Sequence, residues 1–218
     1  MAKKTKRTIY TSPAGVAVFP WLNRPDTKFV SDKNPAGMFK TDLVLTPDEF
    51  QLPALLKGKG AGPLKALIDA AVEASVEEAK QEHKKFARSI VPYHPYLDEV
   101  DDEGEPTGRV LVRFKQNAQI TTKDGRVINI TIPIFDGRGT PLKSDVYGGS
   151  VIKVAFSMRN TWMAKDKQAG IRLDMSAVQV LKLVEYSKDA ASFGFEVSDE
   201  PDEEAPWEDD GSEDQDDF

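Results

Sequence analysis

The chain has 218 residues, 29 Lys and Arg against 36 Asp and Glu, a formal net charge of -7 and no cysteine, which excludes disulfides, thiolate zinc sites and a cysteine nucleophile. Two histidines leave little imidazole for metal or triad chemistry, and no apolar run approaches the ~18 residues of a membrane span. The charge is divided: 189–218 holds fourteen acids and no Lys or Arg, so the first 188 residues carry 29 positive charges against 22 negative, a net of about +7.

A length of 218 residues suits one elaborated domain with a proper core. Residues 1–13 read as a basic, mobile arm. No apolar segment of a signal peptide follows Met1-Ala2-Lys3-Lys4-Thr5-Lys6-Arg7, which fits a soluble cytoplasmic protein. Strands are predicted at 16–22 and 38–45. In the second, Phe39, Leu43 and Leu45 alternate with Lys40, Asp42 and Val44, the period of a half-buried strand. Thr46-Pro47-Asp48-Glu49 is a helix start, with Thr46 as N-cap, Pro47 at the first helical position and Glu49 completing a capping box.

The clearest helix covers 63–88, where Leu64, Leu67, Ile68, Ala71, Val72, Ser75, Val76, Ala79, His83 and Phe86 form one stripe. The glycines of Gly58-Lys59-Gly60-Ala61-Gly62 lack the spacing of a phosphate-cradling loop and read as a link between two helices. An extended segment follows at 90–96, restrained by Pro92 and Pro95, then an acidic exposed turn at 98–105. Four strands come next, at 109–115, 125–133, 150–160 and 170–186, the last either one bent strand or two. Beyond Ser187 apolar periodicity ends, and 189–218 is expected to be a disordered acidic tail. The body, 14–188, is thus mainly β, an OB-fold-like antiparallel barrel with a helical insertion at about 46–88.

A barrel that buries Val110, Val112, Phe114, Ile152, Val154, Phe156 and Phe39 displays Arg109, Arg113, Lys115, Lys153, Arg159 and Lys40 on its outer surface. If these strands are neighbours, the result is a positive groove suited to a phosphate backbone. Aromatic rings beside such charge stack on bases, at roughly 1–3 kcal/mol per base. The candidates are Trp21, Phe29, Tyr93, Tyr96 and Trp162, accompanied by Lys28, Lys33, Lys165 and Lys167. For Trp21 the pattern leaves core and surface both open. No pattern calls for a cofactor or a resident metal, and the acids of 98–105 read as solvated charge rather than a catalytic Mg²⁺ site.

The chain resembles the single-stranded DNA-binding proteins of tailed bacteriophages, with enterobacterial phages as the nearest setting. The resemblance is carried by the basic body, the strand pattern around 149–162, the stretch Ala169-Gly170-Ile171-Arg172-Leu173-Asp174-Met175-Ser176-Ala177-Val178-Gln179-Val180-Leu181, and the acidic tail closing in Asp217-Phe218. It implies an OB-fold and sequence-independent ssDNA binding in replication, recombination and repair within the host cytoplasm. Duplex DNA is expected to be the weaker ligand, and because the catalytic constellations of the sequence are weak, no enzymatic activity is expected. It also implies a tail, with Trp207, Asp214, Asp216, Asp217 and Phe218 as its contact residues, that recruits a DNA polymerase, helicase or primase. About 26 flexible residues span roughly 28 Å, against a body radius of gyration of about 16 Å, so the tail is long enough to compete with DNA for the groove. Two rival readings are an acidic-tailed chaperone or DNA mimic, which the basic body opposes, and a metal-dependent recombination nuclease.

Overall fold

The structure is a computed structural model and describes residues 7–28, 30, 34–122 and 124–185. In chain order, β1 (Tyr10–Thr11), β2 (Gly15–Asp26) and β3 (Met38–Leu45) precede a single helical turn, α1 (Pro47–Phe50). A hairpin of β4 (Pro53–Leu56) and β5 (Lys59–Pro63) leads into α2 (Leu64–Glu82) and a 3₁₀ segment, Lys84–Ser89. Strands β6 (Val91–Tyr93), β7 (Tyr96–Val100), β8 (Pro106–Asn117), β9 (Gln119–Thr121), β10 (Val127–Asn129), β11 (Ile134–Phe135), β12 (Val151–Met163) and β13 (Gln168–Lys182) complete it.

Five long strands make the body. Pairing runs β2–β3–β8–β13–β12 and returns to β2. Every step is antiparallel except β8–β13, which is parallel, and this is the strand order of an OB-fold. The expected antiparallel barrel therefore needs two corrections. It contains parallel pairs, at β8–β13, β6–β13 and β11–β13. It is also partly open rather than a closed barrel, because β8–β13 and β12–β2 are joined by only two residue pairs each. Of the residues predicted to face inward, Leu43, Leu45, Val112, Phe114, Ile152, Val154 and Phe156 are fully buried, Phe39 nearly so and Val110 half-buried; Ile171 and Leu173 of β13 join them, fully buried. Phe114 and Phe156 meet edge to face at 5.3 Å between ring centres, the favoured aromatic geometry.

The helical insertion lies between β3 and β8. Thr46 caps α1 as its sequence predicts, with its Oγ1 accepting from Glu49 N at 3.2 Å while Glu49 Oε2 accepts from Thr46 N at 2.8 Å. Eight residues beyond α1, the glycine-rich stretch departs from expectation. Lys57 and Gly58 both have positive φ, 52° and 78°, so they form the two-residue turn of a β-hairpin rather than a helix–helix link. The α2 stripe buries Leu64, Ile68, Val72, Val76 and Ala79. The helix stops at Glu82, short of Arg88, because His83 leaves helical geometry (φ −111°, ψ 53°) and stacks its ring on Trp162 at 4.5 Å. Ser75 anchors α2 to the barrel, its Oγ donating to Gly170 O at 2.7 Å. Glycine is required at 170, since a Cβ would stand 1.9 Å from Tyr93 O.

Two further expectations change, and an open alternative is decided. The described part of the N-terminal arm is docked: β1 pairs with β12 and β4, and Ser12 is buried, bonding Val154 through N, at 2.9 Å, and through Oγ, at 3.0 Å. The strand predicted at 125–133 shrinks to β10, which pairs only with β9; Val127, Ile128 and Asn129 are all exposed, so no buried face extends it. The 170–186 segment is one strand, ending at Lys182. Among the described residues, no helix is long and apolar enough to cross a membrane.

Candidate nucleic-acid interface

Antiparallel pairing places opposed residues on one face of a sheet. Trp21 in β2 stands opposite Lys40 in β3, and Lys40 stands opposite Lys115 in β8. Two residues along β3 on the same face, Asp42 stands opposite Arg113. The β2–β3 register slips by one residue between Val18 and Trp21, a bulge. There Phe19 takes a left-handed φ of 47° and puts its ring outward, 73% exposed. Phe19, Trp21, Lys28, Lys40, Arg113 and Lys115, with Asp26 and Asp42, line an open cleft of ≈ 610 Å³. The guanidinium of Arg24 lies 5.9 Å from the centre of the Trp21 ring.

Inside the cleft the charges are only partly matched. Lys40 Nζ is 2.5 Å from Asp26 Oδ2, and Asp26 Oδ1 also accepts from Lys28 N at 2.9 Å. The hydrogen bond from Lys40 holds the Asp26 carboxyl below its ordinary pKa. Arg113 Nε lies 3.7 Å from Asp42 Oδ2. Burial nevertheless raises the Asp42 pKa, over the opposing pull of Arg113, Lys115 and Lys40. Burial also lowers the pKa of Lys115, helped by the neighbouring charge of Arg113. A cationic side chain that burial disfavours is one that gains from an incoming anion.

The row continues across the parallel seam, where Lys115 stands opposite Asp174 of β13. Around Asp174 gather Arg159 (Nε to Oδ2, 2.8 Å), Arg172 (Nε to Oδ1, 2.6 Å) and Arg7 (Nη1 to Oδ2, 4.0 Å). These four residues line a second recess, of ≈ 430 Å³, together with the amides of Gln116, Asn117 and Gln119. The two clefts form one basic face with exposed aromatic rings at the β2 end. Such a face can hold a chain of phosphates while its bases stack.

Trp21, Lys28, Lys40, Arg113, Lys115 and Arg159, named from sequence, line these clefts. The other described candidates lie elsewhere. Arg109 pairs with Glu99 at 2.6 Å near the start of β8. Lys153 stands opposite Gln179, half-buried. Tyr96 donates its hydroxyl to Asp69 of α2 at 2.6 Å and meets Phe50 edge-on at 5.0 Å. Tyr93 lies in β6, its backbone against Gly170. Trp162 faces His83 beside Glu78 and Glu82. Lys165 is exposed in the β12–β13 turn, and Lys167 Nζ lies 5.6 Å from the centre of the Phe86 ring. Phe29, Lys33, Trp207, Asp214, Asp216, Asp217 and Phe218 lie outside the described residues.

Sequence reasoning passed over Phe19, Arg7 and Arg172. Arg172 carried a legible signal, the outward position between Ile171 and Leu173. The bulge that exposes Phe19 had only the following Pro20 to announce it.

Comparison with known proteins adds an independent line. Residues 14–183 match the family model described as single-stranded DNA-binding protein, bacteriophage T7. The single-stranded DNA-binding protein of enterobacteria phage T3 is 24% identical over 187 residues, 83% of this chain and 78% of that protein. The corresponding protein of Escherichia phage T7 is 24% identical over 203 residues, 90% of this chain and 84% of that one. The crystal structure of gp2.5, a single-stranded DNA-binding protein encoded by bacteriophage T7, is similar in fold, with a TM-score of 0.59 at 18% identity over 90% of this chain and 98% of that one. The single-stranded DNA-binding protein from bacteriophage Enc34 in complex with ssDNA is similar at a TM-score of 0.50 and 16% identity, over 84% of this chain and 95% of that one.

Proposed function

The chain belongs to the family of the bacteriophage T7 single-stranded DNA-binding protein, and from that premise we propose how it does its work. It binds ssDNA without sequence preference, running the phosphates along Lys40, Lys115, Arg113, Arg159 and Arg172 and stacking bases on Phe19 and Trp21. In this role it protects ssDNA during phage replication, recombination and repair in the host cytoplasm. The acidic segment 189–218 competes with DNA for the basic face and, when displaced, recruits replication proteins such as a DNA polymerase, helicase or primase.

The observation that carries this reading is the unbroken row Trp21–Lys40–Lys115 across three neighbouring strands, joined to three arginines at Asp174. Contact is made to backbone charge and to the π-faces that every base offers, so sequence preference has no structural source. Duplex DNA keeps its bases stacked on one another, which leaves the aromatic end of the face with no partner.

Titrating labelled oligo(dT) and a duplex against the protein over a salt series tests it. The expected log–log slope is about −0.7 per phosphate neutralised, or roughly −3.5 for five cation contacts, with the duplex bound more weakly. A chain that bound neither DNA, even when ended at residue 195, would defeat the reading.

A further inference from the structure

Asp174 is the only acid in β13, and it lies in the basic row itself, opposite Lys115 on one side and Ser157 on the other. Its side chain is 5% exposed, whereas those of Arg7, Arg159 and Arg172 are 63%, 50% and 24% exposed. Oδ1 accepts from Arg172 Nε at 2.6 Å and from Arg159 Nη2 at 3.3 Å. Oδ2 lies 2.8 Å from Arg159 Nε and 4.0 Å from Arg7 Nη1. Arg172 is held a second time, its Nη1 donating to Asn117 Oδ1 at 3.1 Å.

One buried carboxylate therefore holds the guanidinium groups of Arg159 and Arg172, with that of Arg7 at the outer edge of ion-pair distance. Each guanidinium carries five N–H donors in a rigid plane. The bonds to Asp174 and Asn117 use some of them and leave Nη1 of Arg159 and Nη2 of Arg172 uncommitted by those bonds. Those donors are already oriented, so less side-chain freedom is lost when an anion arrives. A face selected for positive charge alone has no use for an acid at its centre. An acid makes sense there if the orientation of the arginines matters more than one unit of charge.

We propose that Asp174 is a positioning residue for ssDNA. It presets Arg159 and Arg172 as a pair of planar donors that takes a backbone phosphate where the two clefts meet. This rests on the ssDNA-binding reading above and deepens it.

Charge counting and geometry predict opposite signs for Asp174→Asn, and that opposition is the test. Affinity for labelled oligo(dT) is measured by anisotropy for the full chain from low to high salt, with circular dichroism and urea midpoints recorded alongside. Asp174→Asn removes a negative charge from the face, yet binding is expected to weaken at least about fivefold. The loss persists at high salt, where a net-charge effect would fade. Arg159→Lys and Arg172→Lys keep the charge and lose the planar fork, and each is expected to weaken binding about three- to tenfold with the urea midpoint unchanged. Asp42→Asn, which removes a half-buried acid of this face, is expected to tighten binding in the same assay. Equal or tighter binding by Asp174→Asn would overturn the proposal. Should that variant fail to fold, unaltered affinity of both lysine variants would overturn it instead. Failure of the unmodified chain to bind oligo(dT) would remove the ssDNA reading itself, an outcome distinct from either.

Discussion

Phe19 sits in the left-handed region at φ 47° with most of its ring in solvent. A non-glycine residue held there costs of order 1–3 kcal/mol, and an exposed ring returns none of that through burial. The base stacking proposed above gives such a ring a use. Phe19→Gly is therefore expected to raise stability by about 1 kcal/mol, since glycine adopts this φ without strain. The same change is expected to weaken oligo(dT) binding roughly five- to thirtyfold, through loss of about 1–2 kcal/mol of stacking. Urea denaturation and anisotropy on one sample check both signs together. Asp42 makes the second residue-scale case. Burial raises its pKa, so its ionised form is the disfavoured one in the fold. Its contribution to stability is then present below the unfolded pKa and lost as pH rises through the folded one. In the cleft this means that Asp42 gains its proton at a higher pH than an ordinary carboxylate, and the face becomes more positive. Affinity for oligo(dT), whose bases do not titrate in this range, is expected to rise as pH falls from neutral toward the Asp42 pKa. Asp42→Asn should flatten that rise and tighten binding about two- to fivefold at neutral pH, the size of one partly exposed ion pair.

The elements that carry the interface are held by a few close contacts outside the basic clefts. Helix α2 reaches β13 through Ser75 and Gly170, and β6 packs its Tyr93 carbonyl where a side chain at 170 would stand. Gly170→Ala forces β6 away from β13 and is expected to cost about 3 kcal/mol, at the upper end of core overpacking. Ser75→Ala removes one buried hydrogen bond and is expected to cost about 1–2 kcal/mol. Urea midpoints measure both. Neither residue lines the basic clefts, so the folded fraction of each variant should bind oligo(dT) with unaltered affinity. Much at this scale was legible beforehand. The Thr46–Glu49 capping box, the α2 stripe and the alternation in β3, β8 and β12 are local patterns with local causes. The Lys57–Gly58 turn was misjudged because its glycines were weighed as a loop joining helices. The hairpin itself is local, β4 with β5, but β1, which pairs with the other edge of β4, is remote in sequence.

Across the whole molecule, the separation of charge is the dominant feature. A chain ending at residue 195 loses thirteen acids and no Lys or Arg relative to the full chain. It is expected to bind oligo(dT) more tightly, with the difference largest at low salt and narrowing as salt is raised. Comparison of the two chains by anisotropy over a salt series measures this, and equal affinities would speak against competition by the acidic segment. By itself the sequence determined the class of molecule: a cysteine-free, mainly β body with excess positive charge, an inserted helix and an acidic end. These follow from composition and periodicity, which short-range physics controls. Only the tertiary structure decided which charges share a face. Lys40, Lys115 and Asp174 are far apart in the chain and become neighbours through strand register, while Trp162 and Tyr96, equally plausible beforehand, are taken up by α2. A one-residue bulge in β2 then selected Phe19. Register and bulges are settled by the packing of the whole barrel, and local sequence does not encode them.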